Sequence, residues 1–475
     1  MSTPLRRALS PTPLLLAALT GCSGANPDAG RQAWLVEQLV QDNLIWTSRD
    51  PALLASKYQK MAADPYDFMR GSLGVFYADL QRTSERRATT RFVSQAESGA
   101  ILLVGDPHPE NVGTFLPEAP GADARSELPG LVLDFNDLDG AAFGPWILDL
   151  RRAAVGLGAL TLGLEGCELD CRADAVLALA EGYSAAVLGQ DELSASRVAD
   201  NITLRLIEDT VEDGLERKRL DDLTAVDADG QRRFLLDEAL DDEGAGLLAL
   251  TEEEAAQLTR LVSGLRLPPG ARALDGARRY GSGVASSPAV RYVLLYDLGE
   301  DGDLDDELIQ LREVTDPPTP PSLRPTLPGL FDSQADRAEQ APRLLWSSPR
   351  LDPHLDALSD GVMTFKALSY SSWFSGYDHG DVAEDWAEGK IGPADLAALA
   401  RSVGVLLGEA HLRAPTASGE DPGPTLRAEL TQPGLADELL ADAEADLTQL
   451  QADYAHFQAA LADFGPCLGA DELRP

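Results

Sequence analysis

The sequence predicts an α+β chain rich in helix, and three observations carry that expectation. Apolar residues recur at helical spacing near the start (Leu35, Leu39 and Leu44, then Phe68, Leu73, Phe76 and Leu80). The same pattern returns near the end, over 393–412 and 435–464. Two short apolar runs, 99–104 and 130–135, are bounded by Gly, Pro and Asp, as buried strands are. Between Leu274 and Thr315 the texture changes, and the runs Arg291–Tyr296 and Glu307–Arg312 read as paired strands around an acidic turn.

The elements follow in chain order. Arg6 and Arg7 precede a short apolar stretch, Leu14 to Leu19, which runs into Leu19-Thr20-Gly21-Cys22. Residues 1–21 therefore read as a secretory leader, too short for a spanning helix. The small residues ending on a cysteine resemble the bacterial lipobox. That resemblance implies cleavage before Cys22, a lipid on its thiol, and an exported body anchored to a membrane of the cell envelope. Residues 22–30 are small and polar and suit a tether. A single body is expected over 31–475. It comprises helices over 32–80, strands and loops over 99–150, and a helix over 146–162 that opens a helical region, 151–268. A small sheet follows over 270–316 and 361–368, then C-terminal helices over 393–464. Pro317 to Pro328 is a proline-rich connection, and no later run is apolar and long enough to cross a bilayer.

Charge and cysteines narrow the function classes. The chain carries 78 acidic and 39 basic residues, a formal net charge of -39, and the leader holds two of the arginines and no acid. Such a surface repels nucleic acid and excludes it as a partner. Cys167 and Cys171 could close a small loop between two helical stretches, while Cys467 has no evident mate, so the pairing stays open. Two cysteines without an accompanying histidine do not make a zinc site.

The chemistry concentrates in Gly105-Asp-Pro-His-Pro-Glu-Asn111 and in Leu131-Val-Leu-Asp-Phe-Asn136. Asp106 and Asn111 stand five positions apart. In the catalytic loop of kinases an aspartate reaches the hydroxyl to be phosphorylated, and an asparagine five residues on turns back to a magnesium ion. A second metal-holding aspartate arrives there at the end of a strand, the position of Asp134. Asp106, Asn111 and Asp134, with Asp137 beside them, would make the oxygen-rich site that Mg2+ prefers. The plainer reading is that these residues cap turns, that His108 is a hydrogen-bonded strut, and that Asp134, Asp137 and Asp139 form a solvated acidic loop. The order and spacing of the two segments favour the site.

These two segments, the second continuing as "LVLDFNDLDGAAFGPWILDLRRAA", resemble the Gly-Asp-x-His-x-x-Asn and downstream Asp signatures of aminoglycoside and choline phosphotransferases. They are still more similar to the bacterial domain of unknown function 2252 family. "FMRGSLGVFYADL" (68–80), the 291–314 hairpin and "VGVLLGEAHLRA" with His411 extend the likeness over most of the chain. The resemblance implies a two-lobed, protein-kinase-like fold in which Asp106 is catalytic and Asn111, Asp134 and Asp137 hold metal. His108, Asp139 and Arg70 would support the loop. The nucleotide-gripping segment would lie downstream, a permuted order, with Gly283, Ser286 and Arg312 as the cofactor-binding residues and ATP or another phosphorylated donor as the ligand.

The gripping half departs from the pattern. Ala285 and Pro288 stand where glycine would let backbone N–H groups approach a phosphate, and a proline has no N–H. The strand lysine is replaced by Arg312, which is not its geometric equivalent. Lys366 reads as a solvated or packing lysine. Two functions stay open: an Mg-dependent phosphotransferase with a small-molecule or protein acceptor, and a catalytically degenerate kinase-like lipoprotein that binds a ligand or partner. A metallophosphoesterase needs further histidine blocks that His354, His379, His411 and His456 do not supply. Acidic turns at 227–230 and 301–306 lack the closing glutamate of a calcium loop.

Overall fold

A computed structural model describes residues 29–82, 100–116, 130–190, 201–241, 244–267, 269–298, 306–317 and 331–464. The expectations for the leader, Cys22, the tether, Cys467 and the turn at 301–306 lie outside these residues.

Five helices open the described chain: α1 (Ala29–Asp42), α2 (Leu44–Arg49), α3 (Pro51–Ala63), α4 (Pro65–Gly71) and α5 (Leu73–Arg82). The starts of α3 and α4 share one device. Asp50 and Asp64 cap them through side-chain bonds from Leu53 N–H and Tyr66 N–H, and each is followed by a proline whose missing N–H costs nothing there. Their apolar faces close a core of their own with the C-terminal helix α15 (Leu435–Phe464), through Leu39, Tyr58, Phe68 and Phe457. Buried ion pairs from Arg151 to Asp442 and Asp446 fix α15 on α6 (Ile147–Thr161).

The largest core surrounds α6, α7 (Leu169–Leu188) and α13 (Pro393–Arg413). Two short antiparallel pairs lean on it: β1 (Ile101–Leu102) with β4 (Phe143–Gly144), and β2 (Val112–Phe115) with β3 (Val132–Phe135). The helices α7 and α13 cross with almost no gap. A Cβ on Gly182 would collide with the carbonyl oxygen of Arg401, and one on Gly404 with that of Leu179. Cys167 and Cys171 are disulfide-bonded at the entry to α7.

From 201 the chain differs from the helical region expected. α8 (Asn201–Leu215) and α9 (Lys218–Leu223) are followed by a hairpin, β5 (Thr224–Val226) and β6 (Arg232–Phe234). Asp227 makes this turn: its Oδ1 accepts from the N–H groups of Asp229 and Gln231, and Gly230 takes the left-handed conformation. Then β7 (Gly246–Leu248) joins the edge of the main sheet. Helix α10 (Glu252–Val262), with its Thr251/Glu254 capping box, packs on one face of that sheet. The sheet is antiparallel with strand order β11-β12-β10-β9-β8-β7, from β8 (Arg272–Tyr280), β9 (Arg291–Asp297), β10 (Asp306–Val314), β11 (Asp356–Ser359) and β12 (Thr364–Ser369). Helices α11 (Gln334–Leu345), α12 (His379–Ala387) and α14 (Gly423–Leu430) complete the described elements. The fold is α+β, and no described helix is long and apolar enough to cross a membrane.

The crossing of α7 and α13 yields a prediction. Alanine is the better helix former by about 1 kcal/mol, but these collisions are with backbone, which cannot step aside. Gly182→Ala and Gly404→Ala should each lower stability by roughly 1–3 kcal/mol, read as a lower urea midpoint. Gly163→Ala, where a Cβ meets only a carbonyl oxygen 3.7 Å away, serves as the comparison.

Candidate functional site

The loop 105–111 is held by its backbone. Asp149, fully buried on α6, accepts from Val104 N–H (2.7 Å) and Gly105 N–H (3.0 Å). Its second oxygen also meets His411 Nε2 at 3.0 Å, and the other ring nitrogen of His411 bonds the hydroxyl of Tyr183 at 2.9 Å. Gly105 has a φ of +93°, and any Cβ there would strike Gly140, so the loop lies directly against the turn that carries Asp139.

Within the loop, Pro109–Asn111 forms a single 3-10 turn, and the Asn111 side-chain N–H donates to the Asp106 carbonyl oxygen at 2.8 Å. That bond folds the five-residue spacing back on itself and brings both side chains to one cleft. Arg152 on α6 fixes Asp106, with Nε 2.6 Å from Oδ1, while Arg152 Nη2 donates to the Met69 carbonyl oxygen. His108 lies beneath, 3.7 Å from Asp106 Oδ2 and packed on Gly156. Burial holds its pKa down to about 4, so the ring is neutral. Its Nδ1 has no hydrogen-bond partner among the described residues. Arg70 braces the loop through Glu110 (2.6 Å), which also accepts from His379 Nδ1 (2.7 Å).

The cleft has a volume of about 160 Å³. Asp106, Asn111, Asp137 and Asp139 line it together with Ala285, Ser286 and Glu313. Asp134 is not among them, which corrects its expected place. Its side chain points out of the cleft, fully buried, and its two oxygens accept from the N–H groups of Phe135 (2.8 Å) and Ser347 (2.7 Å). The carboxylates that reach the cleft follow the strand, in the turn Asp137-Leu-Asp-Gly140.

Those two carboxylates meet the sheet. Arg312 on β10 donates to Asp137 Oδ1 at 2.8 Å and also to Asp139, and Lys366 on β12 lies 2.5 Å from Asp139. Lys366 is neither solvated nor a packing residue; it is buried and ion-paired. Burial raises the Asp139 pKa, but Arg312 and Lys366 outweigh it and hold the carboxyl well below its usual range. In the opposing loop, Gly281 and Gly283 take φ of +76° and +74°, and Ser286 Oγ accepts from Arg291 Nη2 at 2.6 Å.

The chemistry of the donor set fits a hard divalent cation. Asp137 keeps an oxygen with no hydrogen bond among the described residues. With its N–H₂ turned to Asp106, Asn111 keeps its amide oxygen as an acceptor. Sequence reasoning missed the cleft's far wall, Asp42 and Lys57. Lys57 is buried, its ammonium donates to Asn43 Oδ1 at 2.7 Å, and burial draws its pKa down to about 8. The available signal was a lysine within the apolar stripe Leu53, Leu54, Tyr58 and Met61.

A family model described as "uncharacterized protein conserved in bacteria (DUF2252)" matches residues 49–460. No curated protein and no solved structure was found to match the chain.

The buried neutral His108 carries a pH dependence. A folded pKa of about 4 against an ordinary 6.5 means that protonation favours the unfolded chain. This contribution is complete above pH 6.5 and is lost as the pH falls toward 4, amounting to about 3 kcal/mol at most. Urea unfolding at pH 7, 5.5 and 4 should show a steeper acid loss for the wild type than for His108→Gln. Parallel curves would mean that the histidine does not carry it.

Proposed function

We propose a function for a chain that belongs to the DUF2252 family of uncharacterized bacterial proteins: an Mg-dependent phosphotransferase-like centre on a lipid-anchored protein. The observation that carries the reading is the meeting of two separate strand-and-loop units at one cleft. Asp106 and Asn111 come from one, Asp137 and Asp139 from the other, and all face Ser286 of the 281–288 loop. The sheet bearing that loop follows the catalytic loop in the chain, as a permuted kinase-like order requires.

Asn111 and Asp137, with Asp139 behind them, would hold the metal, whose charge would neutralise a phosphorylated donor. Asp106 is the residue for the acceptor. Arg152 occupies one of its oxygens and fixes the carboxylate, leaving the other to accept a hydrogen bond from a hydroxyl and orient it. The Asp149 clamp on Val104 and Gly105 keeps that carboxylate in place without touching the acceptor. His108 is neutral and enclosed, so it shapes the loop rather than exchanging protons in the cleft.

A second reading, a binding protein without catalysis, rests on the ion pairs that occupy Asp137 and Asp139 and on the proline in the 281–288 loop. Calorimetry separates the two. Purified protein should bind Mg2+ and Mg–ATP, and Asp137→Ala should weaken both by about tenfold or more. Asp106→Ala should leave binding within about threefold while lowering transfer to an acceptor by about a hundredfold or more. A wild-type protein that takes up neither the metal nor its nucleotide complex would end the enzymatic reading. For the anchor, Cys22→Ser should move the full-length chain out of the bacterial membrane fraction; continued membrane retention would count against a lipid on that thiol.

A further inference from the structure

The sheet carries a line of positive charge that the metal site does not use up. Strand register places Arg291 of β9 opposite Arg312 of β10, and Arg312 opposite Lys366 of β12. The pairing of β8 with β9 runs to Arg278 opposite Tyr292 and brings Arg279 beside Arg291 at the next position. Arg279, Arg291, Arg312 and Lys366 thus form one row across four neighbouring strands, on the face that turns toward Asp137 and Asp139.

Like charges directly opposite one another on a sheet destabilise it. Asp137 and Asp139 make direct ion pairs with Arg312 and Lys366, and they reach Arg291 only by weaker, longer-range attraction. Arg291 is 4% exposed, yet its Nη2 bonds a neutral hydroxyl, Ser286 Oγ, and its Nε has no partner among the described residues. Burial, with Arg312 alongside, pushes its pKa down to about 9. Arg279 stacks on the Tyr370 ring at 5.1 Å, and its Nε is likewise buried without a partner. The hydroxyl of Ser287, next to the cleft-lining Ser286, is a third buried group with none. A guanidinium enclosed without an anion is costly, and a buried polar group left unsatisfied calls for a ligand.

We infer that the row Arg279–Arg291–Arg312 is the binding site for a linked phosphate chain, with Ser286 and Ser287 as additional donors. This rests on the phosphotransferase reading and deepens it by assigning the grip on the donor to sheet arginines instead of a glycine-rich loop and a lysine. Strands lie about 4.8 Å apart, so Arg279 to Arg312 spans about 10 Å, wider than one phosphate group and suited to two or three in a chain. Planar guanidinium groups bind phosphate oxygens through paired N–H donors, which a row of lysines would not do. The phosphate chain of a nucleoside triphosphate and inorganic polyphosphate share this chemistry.

The test titrates the full mature chain with Mg2+ alone, Mg–tripolyphosphate and Mg–ATP, using wild type, Arg291→Gln and Arg279→Gln. Arg291→Gln should weaken both phosphate probes by about tenfold or more and leave Mg2+ alone within about twofold. Because it removes an unpaired buried charge, it should unfold no earlier than wild type without ligand, while losing the thermal protection that tripolyphosphate gives. Arg279, half-buried, supplies a variant whose folding is not at issue. Equal affinity for the two probes identifies the chain itself as the ligand, and a preference for Mg–ATP that both variants reduce adds the nucleoside to it. Phosphate probes that bind wild type and both variants alike, or Mg2+ binding with no response to either probe, overturn the inference and leave the metal site standing. Tripolyphosphate binding that depends on Arg291 without any Mg2+ binding would overturn the metal reading and leave the row.

Discussion

The bonds from Arg312 and Lys366 to Asp137 and Asp139 join the sheet to the turn after β3, beside the cleft that both carboxylates line. Lys366 is buried and Arg312 nearly so, a setting in which an unpaired charge costs several kcal/mol and a paired one is tolerated, while Asp139 stays partly open to the cleft. Arg337 of α11 reinforces the junction without adding a carboxylate. Its guanidinium donates to the carbonyl oxygens of Asp139, Ala141 and Thr315, tying the turn after β3 to the end of β10. This junction, the Arg49–Glu313 ion pair and the packing of Val284 and Ala289 on the helices together set the distance between the loops at 105–111 and 281–288.

The two walls of the cleft are held by different physics. The wall with Asp106 is anchored by neutral backbone donors to Asp149, braced in turn by His411 and Tyr183, all fully buried. Such an arrangement has one low-energy geometry and little dependence on what enters the cleft. The wall with Ser286 is held by packing and by charge: Val284 and Ala289 join the apolar core of the N-terminal helices and α15, Lys60 Nζ donates to the Gly281 carbonyl oxygen at 2.6 Å, and Arg312 pairs with Asp137. A cation binding Asp137 competes with Arg312 for the same carboxylate, and an anion over Arg312 competes with Asp137. In the proposed site, metal and phosphate bound together would satisfy both partners, whereas either alone would leave one of them without its counter-charge. The proposal therefore entails cooperation between the two ligands at this junction.

Much of this was legible from the chain. Helical spacing located 146–162, 393–412 and 435–464 to within a residue or two of α6, α13 and α15, because each buries a continuous apolar stripe. The Asp106/Asn111 spacing was informative because a local bond, Asn111 to the Asp106 carbonyl, enforces it. Asp134 misled for a reason of period. Successive strand residues point to opposite sides, and its side chain faces the Phe135 and Ser347 N–H groups, where burial raises its pKa and leaves no oxygen for the cleft. The short strands β5 to β7 were missed because three residues cannot show a period.

The row of cations was out of reach for a different reason. Arg279, Arg291, Arg312 and Lys366 lie on four strands; Arg312 stood out for its place on a strand, but nothing local joins it to Arg279 and Arg291, or marks those two. Register alone brings them together, and register is set by the apolar face they share, through Ala277, Val293, Leu295 and Leu308. Packing of that face therefore fixes where the charges fall. It carries the repulsion among them as a standing cost, which the proposed anion over the row would relieve. Lysine is the more flexible cation and could swing away from such a row, so arginine at three of the four positions keeps the charge where the proposed phosphate chain would need it.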